Sequence, residues 1–100
     1  MELKDQIVKD INGNFVMLYM KGTKEMPMCG FSATIVKILN HYGVDYKATN
    51  VLEDPNIRLE LSKHSNWPTI PQLFVDGELV GGCDIALEMH NDGTLAPVFD

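Results

Sequence analysis

The sequence is short of cysteine, of basic residues and of long apolar runs, and each shortage excludes a class of protein. Its two cysteines, Cys29 and Cys83, are too few for a disulfide scaffold or for a four-cysteine metal site within one chain. Eight Lys and Arg stand against 14 Asp and Glu, for a net charge of −6, so nucleic acid and anionic membranes are not expected partners. No apolar run approaches the roughly 20 residues that span a membrane.

The chain has 100 residues, which predicts one domain over 1–100, because this length supports a single modest core. Residues 1–5 lack the apolar core of a signal peptide. This predicts the bacterial cytoplasm, or an organellar matrix if a transit peptide has been removed. The two cysteines then have three open interpretations: packing residues, a reactive thiol, or ligands shared with a group outside the chain.

The spacing of apolar residues predicts four helices and four strands. The helices are expected over residues 2–12, 29–42, 55–63 and 84–91, with a final helical turn within 94–99. The strands are expected over residues 15–20, 44–49, 69–75 and 78–80.

The order of these elements predicts the fold class. The first two strands flank a helix, so they should be parallel, joined by a right-handed crossover. Asp76-Gly77 is a hairpin dipeptide between the last two strands, which should therefore be antiparallel. Residues 15–20 are apolar without alternation, which is typical of a strand buried on both faces. The prediction is an α/β fold with a mixed four-stranded sheet and helices on both faces.

Cys29 lies at the predicted start of a helix, where unpaired N–H groups and partial positive charge stabilise a thiolate. Lys21, just after the preceding strand, can add a full positive charge. The alternative is that Cys29 is a small buried apolar residue. Ser32 stands where a Cys-x-x-Cys motif has its second cysteine, so Cys29 needs an outside thiol to resolve a mixed disulfide. Ser32 can still donate a hydrogen bond towards the thiolate.

Two further segments have both a structural and a functional interpretation. Pro71 marks the start of a strand, or else follows a cis bond that turns the Ile70 backbone outward to pair with an extended peptide. Gly82 and Cys83 precede a helix, so their N–H groups form either an anion site with Asp84 as the cap or an ordinary helix start. Cys83 itself is expected to be a packing residue.

Other residues near these segments carry weaker signals. Trp67, beside a proline, is expected in the core. Met26 and Met28 flank a proline just before Cys29 and suit an exposed contact surface.

Four short motifs, in this order and spacing, resemble a monothiol glutaredoxin of the Cys-Gly-Phe-Ser class, and the resemblance covers nearly the whole chain. The motifs are Met20-Lys21-Gly22-Thr23, Cys29-Gly30-Phe31-Ser32, Trp67-Pro68-Thr69-Ile70-Pro71-Gln72 and Gly81-Gly82-Cys83-Asp84. The resemblance implies a thioredoxin fold with a cis motif proline, in agreement with the element order above.

The resemblance also implies that the chain binds glutathione. The positions that match the family's glutathione-binding residues are Lys21, Arg58, Thr69, Ile70, Pro71, Gly82, Cys83 and Asp84. Lys21 and Arg58 would hold the glycyl carboxylate by charge-assisted hydrogen bonds. The Ile70 backbone would pair with the cysteinyl residue, and the Cys83-Asp84 segment would receive the γ-glutamyl end.

The cofactor implied by the resemblance is a [2Fe–2S] cluster, which needs four sulfur ligands. Cys29 as the metal ligand from each of two chains, with two glutathione thiolates, supplies four, so the cluster-bound form should be a homodimer. A rival count uses Cys29 and Cys83 of both chains without glutathione. It is disfavoured because the family uses the backbone of Cys83 beside glutathione.

Two functions follow from the resemblance. In the first, the protein carries a cluster to iron–sulfur apoproteins and can also pair with a BolA-like protein. In the second, it is a glutathione-dependent oxidoreductase in which the catalytic Cys29 thiolate attacks a glutathionylated protein and a second glutathione regenerates it. The family is generally poor at that reaction, so the carrier is preferred and enzymatic activity is expected to be weak.

Overall fold

The computed structural model describes residues 2–100 as helices packed on both faces of one four-stranded sheet. The helices are α1 (Leu3–Gly13), α2 (Gly30–Tyr42), α3 (Pro55–Ser65) and α4 (Cys83–Asp92). The strands are β1 (Val16–Met20), β2 (Lys47–Asn50), β3 (Gln72–Val75) and β4 (Glu78–Gly81). Two 3₁₀ turns, Val51–Glu53 and Ala96–Phe99, complete the assignment; the first was not predicted, and the second falls within the expected final turn.

The sheet has the strand order β2-β1-β3-β4. β1 and β2 are parallel, while β3 is antiparallel to both β1 and β4. The mixed α/β sheet and both predicted strand orientations are therefore confirmed. β1 is central, and all five of its residues are buried.

The two faces of the sheet carry separate cores because side chains alternate along each strand. Val16, Leu18 and Met20 of β1 face the core that includes buried residues of α2 and α4. Met17 and Tyr19 face the opposite core, with buried residues of α1 and α3. This two-sided burial explains why the β1 sequence shows no polar alternation.

Local signals placed several element ends correctly. Asp54 caps α3 by accepting a hydrogen bond from the Asn56 N–H at 2.9 Å, and Pro55 begins the helix. Asp76 and Gly77 both have positive φ, as the turn between β3 and β4 requires.

The strand starts and the end of α1 were predicted less well. α1 includes Gly13, and the Asn14 side chain donates to the Asp10 carbonyl at 2.8 Å just beyond it. β1 begins one residue later than expected, after the half-exposed Phe15. β3 begins only after Pro71, which has no N–H for the ladder.

The second strand was also predicted too early. β2 starts at Lys47, although Val44 and Tyr46 already pack against the core of α2 and α4. Their alternation reports burial on that face, but the hydrogen-bonded ladder with β1 begins only at the Met17 and Lys47 pair. Within residues 2–100, no helix has both the length and the apolar character needed to cross a membrane.

Candidate functional site

The predicted site residues come from four segments that end or begin at one edge of the sheet and from α3, which carries Arg58. Lys21 follows the carboxyl end of β1, and Cys29 immediately precedes α2. Because β3 runs antiparallel to β1, the segment before Gln72 meets the same edge. β4 runs back to that edge, so Gly82, just after it, lies there too.

These segments enclose a cavity of about 370 Å³. Its lining contains every site residue that the sequence predicted, namely Lys21, Cys29, Arg58, Thr69, Ile70, Pro71, Gly82, Cys83 and Asp84. The structure thus brings all nine residues together. Their binding roles remain predictions.

The groups around the Cys29 side chain favour the thiolate over the thiol. Backbone N–H groups of α2 lower the pKa of Cys29 from its ordinary value, the Ser32 N–H contributing most, followed by the Phe31 N–H. The Lys21 ammonium and the Ser32 hydroxyl lower it further, against an opposing effect of burial. The Cys29 side chain does not itself complete a capping hydrogen bond. The fall in pKa therefore reflects N–H groups and charges that favour the anion, as expected for a helix start.

Cys83 has the opposite environment. It is 8% exposed and packs in the core formed with α2 and α4. Burial raises the pKa of its thiol, and the nearby Asp84 carboxylate raises it further. Of the two cysteines, Cys29 is therefore the more readily ionised. The prediction that Cys83 is a packing residue is confirmed.

Ser32 does more than occupy the place of a second cysteine. It is fully buried, and its Oγ accepts a hydrogen bond from the Lys21 backbone N–H at 3.1 Å. One hydroxyl thus joins the start of α2 to the end of β1 and also stabilises the Cys29 thiolate.

Two cationic side chains line the cavity, although the chain has a net negative charge. Lys21 and Arg58 both line it, and the Arg58 guanidinium also lies 3.4 Å from the Pro68 carbonyl. A concave site with two cations and an apolar wall suits an anionic ligand with some apolar surface.

The backbone around the cavity agrees with part of the sequence interpretation. The bond between Ile70 and Pro71 is cis, as the functional interpretation of this segment expects. Asp84, in contrast, is not the cap of α4: the cap is Gly82, and Asp84 is an exposed residue of the first helical turn. α4 starts at Cys83, one residue earlier than predicted, because the extended backbone of the cap lies at Gly82 and not at Asp84.

Several residues of the site were not predicted from the sequence. Trp67, expected in the core, is instead half-buried and lines the cavity, as do Phe31 and Ile85. Gln72 is fully buried, and its side-chain amide donates to the carbonyls of Trp67 and Thr69 at 2.9 and 3.1 Å. No local feature of the sequence marked Gln72, because its burial and its two carbonyl partners depend on the fold.

Apolar side chains stand exposed beside the thiol. Met26, Met28 and Phe31 are 71%, 67% and 61% exposed. The prediction that the two methionines are exposed is confirmed. Large exposed apolar side chains next to a reactive group are typical of a contact surface.

The glutaredoxin family model matches residues 16–80, well over half of the chain. The chain belongs to the glutaredoxin family. This glutaredoxin is 56% identical over 89 residues to a probable monothiol glutaredoxin 2 of Rickettsia felis, an alignment that covers 89% of this chain and 86% of the relative.

Solved structures agree with this result. The reduced apo form of poplar GrxS14 has 44% identity to this glutaredoxin and a TM-score of 0.84, covering 95% of this chain and 87% of the other. A buckwheat glutaredoxin, solved as a complex with glutathione, has a TM-score of 0.85 at 24% identity, covering 97% and 86% of the two chains. The fold is therefore the thioredoxin fold of the glutaredoxins. With Ser32 in the second position of its motif, this member carries a single motif thiol.

Proposed function

We propose that this glutaredoxin binds glutathione in the cavity beside Cys29. Glutathione is an extended peptide with two carboxylates and one ammonium. Lys21 and Arg58 would hold the glycyl carboxylate by charge-assisted hydrogen bonds. The proposal is supported by the two cations that line the cavity and by the glutathione present in the buckwheat relative.

The remaining predicted residues would bind the rest of the peptide. The Ile70 backbone would pair with the cysteinyl residue, with Pro71 and Thr69 beside it. At the other end, the N–H groups of the first turn of α4 would receive the γ-glutamyl carboxylate, because a helix start favours anions. The exposed Asp84 side chain would hold the ammonium.

The same residues fit a [2Fe–2S] cluster as cargo. A cysteine must be a thiolate to bind iron, and the lowered pKa of Cys29 suits it for that role, whereas the raised pKa and burial of Cys83 do not. Residues 2–100 contain no cluster of three or more His, Cys, Asp or Glu side chains that could hold a metal. Four sulfur ligands would thus be Cys29 of two chains and two glutathione thiolates.

The function proposed for the protein is therefore to carry a glutathione-ligated cluster in a homodimer and to transfer it to apoproteins. The observation that carries this proposal is the single accessible, readily ionised thiol in a cavity lined by two cations. Two ligands from a small exchangeable molecule make the cluster easy to release. The exposed Met26, Met28 and Phe31 are suited to the contacts that such a dimer would need.

A second function is favoured by the lowered pKa of Cys29 and by its place in the cavity lining. The Cys29 thiolate would attack the glutathione sulfur of a glutathionylated protein, which forms a Cys29–glutathione disulfide and releases the protein thiolate. A second glutathione thiolate would then attack the glutathione sulfur of that disulfide, producing glutathione disulfide and the Cys29 thiolate. Because Ser32 cannot resolve the intermediate, the rate would depend on external glutathione.

Anaerobic reconstitution with a ferric salt, sulfide and reduced glutathione separates the two functions. The product is examined by visible absorption and by size-exclusion chromatography, for the unaltered chain and for Cys29→Ser and Cys83→Ala. The carrier proposal predicts a coloured dimer that Cys29→Ser abolishes and Cys83→Ala retains.

Other outcomes would contradict this proposal. Colour that forms equally without glutathione would overturn the proposed ligand set. A colourless monomer that rapidly turns over a glutathione mixed disulfide would favour the oxidoreductase instead.

A further inference from the structure

The backbone around Lys21 is held on three sides by hydrogen bonds. Its N–H donates to the Ser32 Oγ at 3.1 Å, and its carbonyl accepts from the Met28 N–H at 2.9 Å. The next N–H, that of Gly22, donates to the Asn50 Oδ1 at 2.9 Å. These three bonds fix the backbone position from which the Lys21 side chain extends to the cavity.

Asn50 reaches this backbone from a neighbouring strand. It is the last residue of β2 and pairs in register with Met20, the last residue of β1. Its side-chain bond to Gly22 therefore continues the contact between the two strands beyond the point where the backbone ladder ends.

The same oxygen has a second donor. The Asn50 Oδ1 also accepts from the Leu52 N–H at 2.9 Å, within the 3₁₀ turn that follows β2. One oxygen thus joins the segment that carries Lys21 to the segment that leads into α3, the helix that carries Arg58.

The two cations also face a shared second cavity. This cavity, of about 210 Å³, is lined by both Lys21 and Arg58, together with Leu52. The Arg58 guanidinium is held by its hydrogen bond to the Pro68 carbonyl at 3.4 Å, so the position of Lys21 relative to it depends on the backbone segments from which the two side chains extend. Those are the two segments that the Asn50 oxygen joins.

We infer that Asn50 is a positioning residue that holds Lys21 opposite Arg58 for the carboxylate of glutathione, an inference that rests on the proposed binding of glutathione. Asn50 itself does not line the larger cavity, so it acts through Lys21 and not on the ligand. Asn50→Ala removes both hydrogen bonds while retaining both cationic side chains. Because a displaced Lys21 would lose part of its charge-assisted hydrogen bond with the glycyl carboxylate, the dissociation constant for reduced glutathione should rise about three- to tenfold.

A double-mutant cycle tests whether the effect passes through Lys21. Binding of reduced glutathione is followed by NMR titration of the reduced chain for Lys21→Ala, Asn50→Ala and the double variant. Asn40→Ala, which changes an exposed asparagine of α2, is the matched control and should bind as the unaltered chain does. With Lys21 absent, Asn50→Ala should weaken binding less than twofold; an equal weakening with and without Lys21 would overturn the inference.

Amide hydrogen exchange tests the geometry without glutathione. The Gly22 and Leu52 amides should exchange at least about tenfold faster in Asn50→Ala, because both lose their acceptor. In Asn50→Asp a carboxylate oxygen replaces Oδ1, so both amides should stay protected. If neither amide changes in Asn50→Ala, the inference is wrong. Failure of the unaltered chain to bind glutathione would overturn the proposed function itself, whereas binding that Asn50→Ala leaves unchanged would overturn only the role of Asn50.

Discussion

Gly22 is the position at which a single added methyl group should most disturb the loop before Cys29. Its φ is +91°, a value that favours glycine. A Cβ at this position would lie 2.4 Å from the Met26 carbonyl oxygen and 2.6 Å from the Met28 nitrogen. Both contacts are with backbone, so no side chain can rotate away to relieve them.

The cost of Gly22→Ala can be worked from these contacts. A left-handed conformation costs a non-glycine residue about 1–2 kcal/mol. Relief of the clash requires the loop to open, and Gly22 pairs with Pro27 across it while the Met28 N–H donates to Lys21. Loss of one or two such bonds adds about 0.5–1.5 kcal/mol each. The free energy of unfolding should therefore fall by about 1.5–5 kcal/mol, a large share of the roughly 5–15 kcal/mol typical of a domain.

Urea unfolding followed by circular dichroism measures this change, with two other glycines as controls. Gly43 has a φ of +65° but no atom within 4 Å of an added Cβ, so Gly43→Ala isolates the backbone term at about 1–2 kcal/mol. Gly13, the last residue of α1, has neither feature. Gly13→Ala should leave the stability unchanged or raise it by up to about 1 kcal/mol.

The order of the three urea unfolding midpoints tests the prediction. With an m-value of about 2 kcal/mol per molar urea, Gly22→Ala should lower the midpoint by roughly 0.8–2.5 M. A midpoint for Gly22→Ala no lower than that of Gly43→Ala would refute the reasoning, because the clash would then contribute nothing.

Three other features give further predictions. The thiolate is the form that is alkylated, so Cys29, with its lowered pKa, should react with iodoacetamide at a lower pH than Cys83, with its raised pKa; coincident pH midpoints by mass spectrometry would contradict this. Gln72→Leu leaves two carbonyls without their donor, which should cost about 1–3 kcal/mol in urea unfolding, and an unchanged midpoint would argue against this role. Lys47 is half-exposed and forms an ion pair with Asp10 at 2.9 Å, so Lys47→Ala should cost less than about 1 kcal/mol; a loss above about 2 kcal/mol would show that the pair is worth more than its exposure suggests.

Much of the fold could be predicted because its signals are local. Asp54 with Pro55, and Asp76 with Gly77, specify a helix start and a hairpin turn within a few residues. The unbroken apolar run of β1 indicated burial on both faces. Strand starts were harder to predict, because the β2 ladder depends on pairing with a strand that lies far away in the sequence.

The residues of the candidate site likewise fall into those that could be predicted from the sequence and those that could not. Cys29 and Lys21 could be assigned to the site because they adjoin a helix start and a strand end. Arg58 and Thr69 were assigned only through the resemblance to the monothiol glutaredoxins. Asn50 and Gln72 could not be assigned, because their partners are backbone groups that only the folded chain brings near them. The prediction for Trp67 was wrong because the neighbouring residues in the sequence do not distinguish an aromatic side chain that lines a cavity from one that fills a core.

The amount of glutathione bound per cluster tests the central proposal most directly. Isotopically labelled glutathione is used in the reconstitution, and iron, sulfide, label and protein are counted in the isolated coloured dimer. The account predicts one cluster and two glutathione molecules per two chains, with no colour when Cys29 is replaced by serine. A coloured dimer that contains no glutathione, or one that survives the loss of Cys29, would contradict it.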